Sequence, residues 1–199
     1  MMLGIDVSWN NGVVDWKAIA KAGVQFAIIR SSYGKNSKDD TFIQNVYGAH
    51  EAGLICGAYH YSYALTPDEA VREAYNCREA IDASGALLEL QIYFHLEDAD
   101  GYKGRYGFDF SRQNCTNICK AFLDNIGLNA GIYASYSWLK DYIDWQSLGC
   151  PVWNAAWLPG WNPDPLNNLH KNPLPSYMWQ YTDKLIINGK QFDGNLLYN

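Results

Sequence analysis

Three acidic residues sit where strands could carry them to one end of a sheet. Asp6 lies in Gly4-Ile5-Asp6-Val7-Ser8, Glu97 closes Gln91-Ile92-Tyr93-Phe94-His95-Leu96-Glu97, and Asp193 falls between Phe192 and Gly194. Side chains alternate faces along a strand. In the second segment Ile92, Phe94 and Leu96 make the apolar face, which turns Tyr93, His95 and Glu97 the other way. In the first, Ile5 and Val7 take the apolar side and leave Asp6 facing inward with Gly4 and Ser8. Each acid alone has a plain alternative: Asp6 capping a turn, Asp193 in a glycine turn, Glu97 facing water. Placed together beside Tyr33, Tyr59, Tyr61, Tyr133, Trp153 and Trp179, they describe one mouth. Grouped carboxylates suit glycosidic cleavage. One, kept protonated by its neighbours, acts as the acid while another stays anionic opposite the positive charge that develops at the sugar carbon. The 8 Trp and 15 Tyr add flat apolar faces with polar handles, which suit stacking on sugar rings.

These residues need a frame, and the hydrophobic period supplies one. Strand candidates at Gly4 to Ser8, Gln25 to Ser31, Ile55 to Tyr63 and Gln91 to Glu97 alternate with helical spacing. Helices are expected from Trp16 to Ala22, through Phe42, Val46 and Ala49, and after Thr66-Pro67-Asp68-Glu69, which supplies an N-cap, a proline in the first turn and a capping-box glutamate. Another starts near Ser111, with Ile118, Phe122 and Ile126 on its buried stripe and Gly127 past its end. Further strands are expected at Ala130 to Ala134, Val152 to Trp157, Tyr177 to Thr182 and near Phe192. Alternating strands and helices imply an α/β fold with a parallel sheet. A full barrel of eight β/α units usually needs about 250 residues, so 199 residues with a helix-poor last third predict an abbreviated, TIM-barrel-like (β/α) barrel of about eight strands. An open doubly wound sheet is the alternative. The active site of such a barrel lies at the C-terminal ends of its strands.

Composition removes other classes. A net charge of −6 with scattered lysines offers no phosphate-neutralising surface, so nucleic acid is not expected as a partner. No apolar run is long enough to cross a membrane, and the N-terminus reads too soon acidic for a signal peptide. Cys56, Cys77, Cys115, Cys119 and Cys150 lie in apolar stretches and read as small buried hydrophobes. Nothing calls for a metal or a cofactor. The nucleophile-elbow, P-loop, dinucleotide and HExxH patterns are all missing from the sequence. Of the histidines, His60 and His95 lie in strands, whereas His50 and His170 read as a helix-face and a loop residue.

Gly4-Ile5-Asp6-Val7-Ser8 with Gly12 and Asp15-Trp16, Phe26-Ala27-Ile28-Ile29-Arg30, Ala52-Gly53-Leu54, Gly57-Ala58-Tyr59-His60-Tyr61, Gly131-Ile132-Tyr133, Trp179-Gln180-Tyr181-Thr182 and Asp193-Gly194-Asn195 follow one another along the chain. Together they resemble the family 25 glycoside hydrolases, the Chalaropsis-type lysozymes found as phage endolysins and bacterial autolysins. The resemblance implies that residues 1–199 are a single catalytic domain cleaving the β-1,4 bond between N-acetylmuramic acid and N-acetylglucosamine in peptidoglycan, with glycan strands as partner. It implies Glu97 as general acid and Asp6 and Asp193 as the other acidic site positions. Arg30, Tyr33, Tyr59, Tyr61, Tyr133, Trp153, Trp179 and Gln180 then become the substrate-binding set. A monomer is expected, made in the cytoplasm and acting on the bacterial wall, or secreted after trimming.

One residue departs from the family pattern. The first acid of the family's D-x-E is here His95. A neutral imidazole supplies no negative charge, and a protonated one depresses the pKa of Glu97. The expectation is a weakened muramidase, and the alternative is a catalytically impaired cell-wall glycan-binding protein. Asp98 belongs to the opposite strand face and does not substitute.

Overall fold

The computed structural model describes residues 1–198, and its strands close on themselves. The strands are β1 (Met2–Val7), β2 (Phe26–Tyr33), β3 (Ser37–Lys38), β4 (Ile55–Tyr61), β5 (Ile92–His95), β6 (Ala130–Ser135), β7 (Val152–Ala155), β8 (Met178–Ile187) and β9 (Lys190–Leu197). Around the ring the order is β1, β2, β4, β5, β6, β7, β8, β9 and back to β1, with the two-residue β3 appended to β2. This is the abbreviated α/β barrel. The helices are α1 (Trp16–Lys21), α2 (Phe42–Glu51), α3 (Pro67–Ser84), α4 (Tyr102–Arg105), α5 (Arg112–Ile126), α6 (Tyr136–Asp141) and α7 (Trp145–Leu148).

An all-parallel sheet is not what closes it. Around the ring from β1 to β8 the pairings are parallel, but β9 runs antiparallel to both β8 and β1, and the appended β3 is antiparallel to β2. The reason is the connection: β8 and β9 form a hairpin around Asn188-Gly189, both with positive φ, so the last strand returns without a crossover helix. A hairpin takes a few residues where a parallel crossover takes a dozen or more, and the barrel thereby fits a short chain.

Strand period sorts the core. Ile5, Val7, Ala27, Ile29, Cys56, Ala58, Ile92, Phe94 and Ile132 face outward against α2, α3 and α5, whose stripes supply Val46, Ala49, Ala74, Cys77, Ile118 and Phe122. The lumen is filled by Phe26, Ile28, Tyr93, Trp153, Met178 and Leu197. The helix boundaries follow their caps: the Thr66 hydroxyl accepts from Glu69 N at 3.3 Å, and Gly85 and Gly127 end α3 and α5 in the left-handed region. Cys56, Cys77, Cys115 and Cys119 are buried free thiols and Cys150 is half-buried.

Gly131 marks the tightest approach. A Cβ there would lie 2.2 Å from the carbonyl oxygen of Pro151, a backbone atom just ahead of β7 that cannot swing aside. Gly131→Ala is therefore expected to cost about 2 kcal/mol or more through overpacking, seen as a loss of several degrees in Tm. An unchanged Tm would mean that this strand pair has slack the packing does not reveal.

Candidate active site

The lumen seen from the C-terminal ends of the parallel strands is a cavity of about 350 Å³ lined by Asp6, Arg30, Tyr59, Tyr61, His95, Glu97, Tyr133, Gln180 and Asp193, among others. Asp6 forms its floor. The pairing of β1 with β9 sets Asp6 directly opposite Asp193. Oδ2 of Asp6 accepts from Gln180 Nε2 at 2.9 Å and from Asn195 Nδ2 at 2.7 Å. A carboxylate can only accept, so both amides must turn their nitrogens toward it. Gln180 Oε1 then receives Tyr133 OH at 2.9 Å and Trp157 Nε1 at 3.0 Å, while Asn195 Oδ1 receives Trp153 Nε1 at 2.8 Å. Five strands and one loop are tied to a single carboxylate group.

Two buried acids this close cannot both ionise. Burial raises Asp6, although the Asn195 and Gln180 hydrogen bonds pull against it. Burial and the Asp6 charge push Asp193 up to about 9. Asp193, with fewer donors around it, keeps the proton and shares it with Asp6. The third acid behaves oppositely. Burial works to raise Glu97, but His95 outweighs it and Glu97 is held below the usual glutamate value. His95 Nε2 stands 3.0 Å from Glu97 Oε1. The contact is too oblique for a directed hydrogen bond, and both ring nitrogens lack one, so the attraction is chiefly Coulombic. The imidazole is boxed by Tyr133 at 3.8 Å, Tyr61 at 5.1 Å and Tyr59 at 5.4 Å between ring centroids.

Asp6, Glu97, Asp193, His95, Arg30, Tyr59, Tyr61, Tyr133 and Gln180 meet in this cavity, and three other expected contacts do not. Trp153 is fully buried in the lumen and spends its indole N–H on Asn195, so it positions the floor and offers no face to a sugar. Trp179 is also fully buried, on the outer side of β8, with its N–H on the Ala156 carbonyl at 2.8 Å. Tyr33 lies behind Arg30, whose guanidinium carbon is 5.0 Å from the tyrosine ring centroid. Arg30 itself is fixed by Nε on Asp39 Oδ2 at 2.9 Å, and its Nη2 is a buried donor without a partner among the described residues.

Two residues escaped the reading of the sequence. Asn195 shares the inward face of β9 with Asp193, and the two-residue period could have found it. Trp157 closes the strand expected from Val152, but β7 ends at Ala155, and beyond it the ring is 57% exposed and pinned to Gln180. The Glu97 loop is held from outside the barrel. Asp98 accepts from Lys103 N at 2.7 Å and Gly104 N at 3.0 Å, and the buried Lys103 ammonium donates to the Ser62 carbonyl.

Residues 5–190 match the family model described as glycosyl hydrolases family 25. The chain is 28% identical over 189 residues to the autolytic lysozyme of Clostridium acetobutylicum, covering 94% of this chain and 52% of that protein. It is 46% identical over 59 residues to lysozyme M1 of Streptomyces globisporus, covering 30% of this chain and 20% of the other. The chain thus spans about half the length, or less, of these curated relatives. Among solved structures, the modular autolysin LytC of Streptococcus pneumoniae, determined with a synthetic peptidoglycan ligand, superposes with a TM-score of 0.81 at 23% identity, covering 99% of this chain and 46% of that one. That likeness is one of fold.

The shared proton predicts a stability slope. Asp193 has a native value near 9 against 3.8 for an ordinary aspartate, so between those limits the folded chain keeps a proton that the unfolded chain has released. Its contribution is complete at low pH and is lost as pH rises toward 9. Urea midpoints followed across that range should fall less steeply for Asp193→Asn than for the parent chain; equal slopes would mean the acids do not share a proton.

Proposed function

Because the chain belongs to the glycosyl hydrolases of family 25, we propose that it is a peptidoglycan muramidase, cleaving between N-acetylmuramic acid and N-acetylglucosamine, with turnover weakened by His95. The support is one observation: acids from the first strand, the fifth strand's end and the last strand line a single cavity. Residues 1–199 act as one catalytic domain, a monomer working on the bacterial wall. The C. acetobutylicum and S. globisporus relatives carry the name lysozyme, which agrees with this reading.

Glu97 is the proton donor to the leaving oxygen, reaching the cavity from beyond the end of β5. The Asp6–Asp193 pair holds one negative charge on the floor, where it opposes charge developing at the sugar carbon. Tyr59, Tyr61 and Tyr133 supply the walls, and the free Nη2 of Arg30 is available to a substrate oxygen.

His95 acts against this machinery. While the imidazole is charged it holds Glu97 as the carboxylate, which has no proton to give. Glu97 is held below its usual range while burial raises Asp6, so Glu97 gives up its proton where Asp6 still holds one. The fraction of enzyme with a charged floor and an acidic Glu97 is small at every pH. His95→Asp replaces attraction by repulsion, so Glu97 should titrate higher and the pH optimum should move upward. The rate of reducing-sugar release from purified walls should rise about 10²–10³-fold, the usual scale for one preorganised electrostatic group. No gain in the Asp variant would count against the site.

For Glu97→Gln, turnover should fall to background while co-sedimentation with walls is kept. A fully active Gln variant would remove Glu97 from the acid role. The oblique His95–Glu97 contact gives the second reading its own support: the chain holds wall glycan without cutting it. Wall binding without sugar release in the parent chain, restored to release by His95→Asp, would favour that outcome.

A further inference from the structure

A second cavity, about 620 Å³, adjoins the first and shares Glu97, Tyr133 and Trp157 with it. Its other walls come from Ser135, Tyr136, Leu158, Pro159 and Lys171. Three features separate it from an incidental hollow. Trp157 is 57% exposed yet held in place, its N–H on the same Gln180 oxygen that Tyr133 bonds, one amide away from Asp6. The backbone beneath it is zipped to β8, with Ala156 N on Gln180 O at 3.1 Å and Leu158 N on Tyr181 O at 2.7 Å. An exposed aromatic ring fixed on both sides offers a rigid stacking face at little entropic cost. Charge is also divided between the two hollows. The first carries Asp6, Asp183 and Asp193 with Glu97, against Arg30 and His95, while the second carries Glu97 at its border and Lys171 as its cation.

A strand of wall glycan is longer than one sugar, and its muramyl units carry a carboxylate, free on the lactyl group or on the attached peptide. Such a unit is repelled by the acidic hollow and accommodated by the one with a lysine. Resting on the muramidase reading, we propose that the second cavity is a subsite for an acid-bearing sugar of the strand, stacked on Trp157 with its carboxylate toward Lys171.

The test compares peptide-free glycan strands, whose lactyl carboxylates are free, with the same strands converted to methylamides, and with strands still bearing peptide. The parent chain should show a KM about three- to tenfold lower on carboxylate strands than on amidated ones, the range of one partly exposed charge contact. Lys171→Met should bring that ratio close to one, and Trp157→Ala should raise KM on both kinds of strand with kcat less affected. If peptide-bearing strands alone show the preference, the peptide supplies the carboxylate; if peptide-free strands show it too, the lactyl group does. A preference that survives Lys171→Met, or a parent chain with none, overturns the proposal. Calorimetric binding of the same strands to Glu97→Gln, with and without Lys171→Met, reads the subsite without turnover. A chain that binds with the expected preference but cleaves nothing retains the subsite and loses only the muramidase reading.

Discussion

One buried carboxylate sets the terms for the rest of this structure. Asp6 lies on the floor of a barrel whose lower lumen is packed with Phe26, Tyr93, Trp153 and Met178, a place where an ion costs several kcal/mol unless it is compensated. Compensation comes from Gln180 and Asn195, and each of those amides is in turn oriented by an aromatic donor, Tyr133 or Trp153. Partly satisfied polar networks are worse than none. The floor is therefore over-determined: its members come from β1, β6, β7, β8 and β9, and no one of them can reorient without leaving another unpaired. The antiparallel β9 makes this possible. Inserted between β8 and β1, it delivers Asp193 and Asn195 on one inward face, so the acid and one of its donors arrive together.

Against so fixed a floor, the residue at position 95 decides how the charge is shared. His95 lies among three tyrosine rings and touches Glu97, and it pulls both Asp6 and Glu97 downward. An aspartate at the same point would push both upward. The rings around it tolerate a cation through their faces and would not do the same for an anion. The side chain thus fits its box of rings while holding Glu97 below the usual glutamate range.

Much of this was legible from spacing alone, because a two-residue period says which side chains share a face without saying anything about partners. It placed Asp6, His95 and Glu97 inward, and the outward Ile92 and Phe94 against helices. It could not tell a tryptophan that seals a lumen from one that lines a groove, since both face the same way. Trp153 has its indole N–H satisfied by Asn195, a partner 42 residues away in sequence, and such a contact exists only once the barrel has closed. The direction of β9 was hidden for a related reason: the same alternation serves a parallel or an antiparallel strand, and only the Asn188-Gly189 turn distinguishes them. Trp157, at the end of its expected strand, and Lys171, in a segment without a period, gain meaning only from what the fold brings beside them.

Glu97 presents the opposite problem from Asp6, for it stands past the end of β5 and no ladder holds it. Its loop is instead secured from behind. Asp98 gathers the backbone N–H groups of Lys103 and Gly104, so α4 begins against the same loop that carries the acid. The Lys103 side chain then runs inward to the Ser62 carbonyl just beyond β4. Burial lowers the ammonium's pKa, against the pull of Glu73, Asp98, Asp100 and Glu97. Glu73 itself, fully buried on α3, accepts from Tyr63 N at 2.8 Å and faces His60 at 3.5 Å. A buried lysine without carboxylates in its surroundings would be expelled to water or neutralised; here its hydrogen bonds link the Asp98 segment to the chain just beyond β4. The barrel fixes its acidic floor by side-chain hydrogen bonds inside the lumen, and the Glu97 loop by hydrogen bonds around Asp98 and Lys103. Asp6 and Glu97, which meet in one cavity, are therefore held by different parts of the fold.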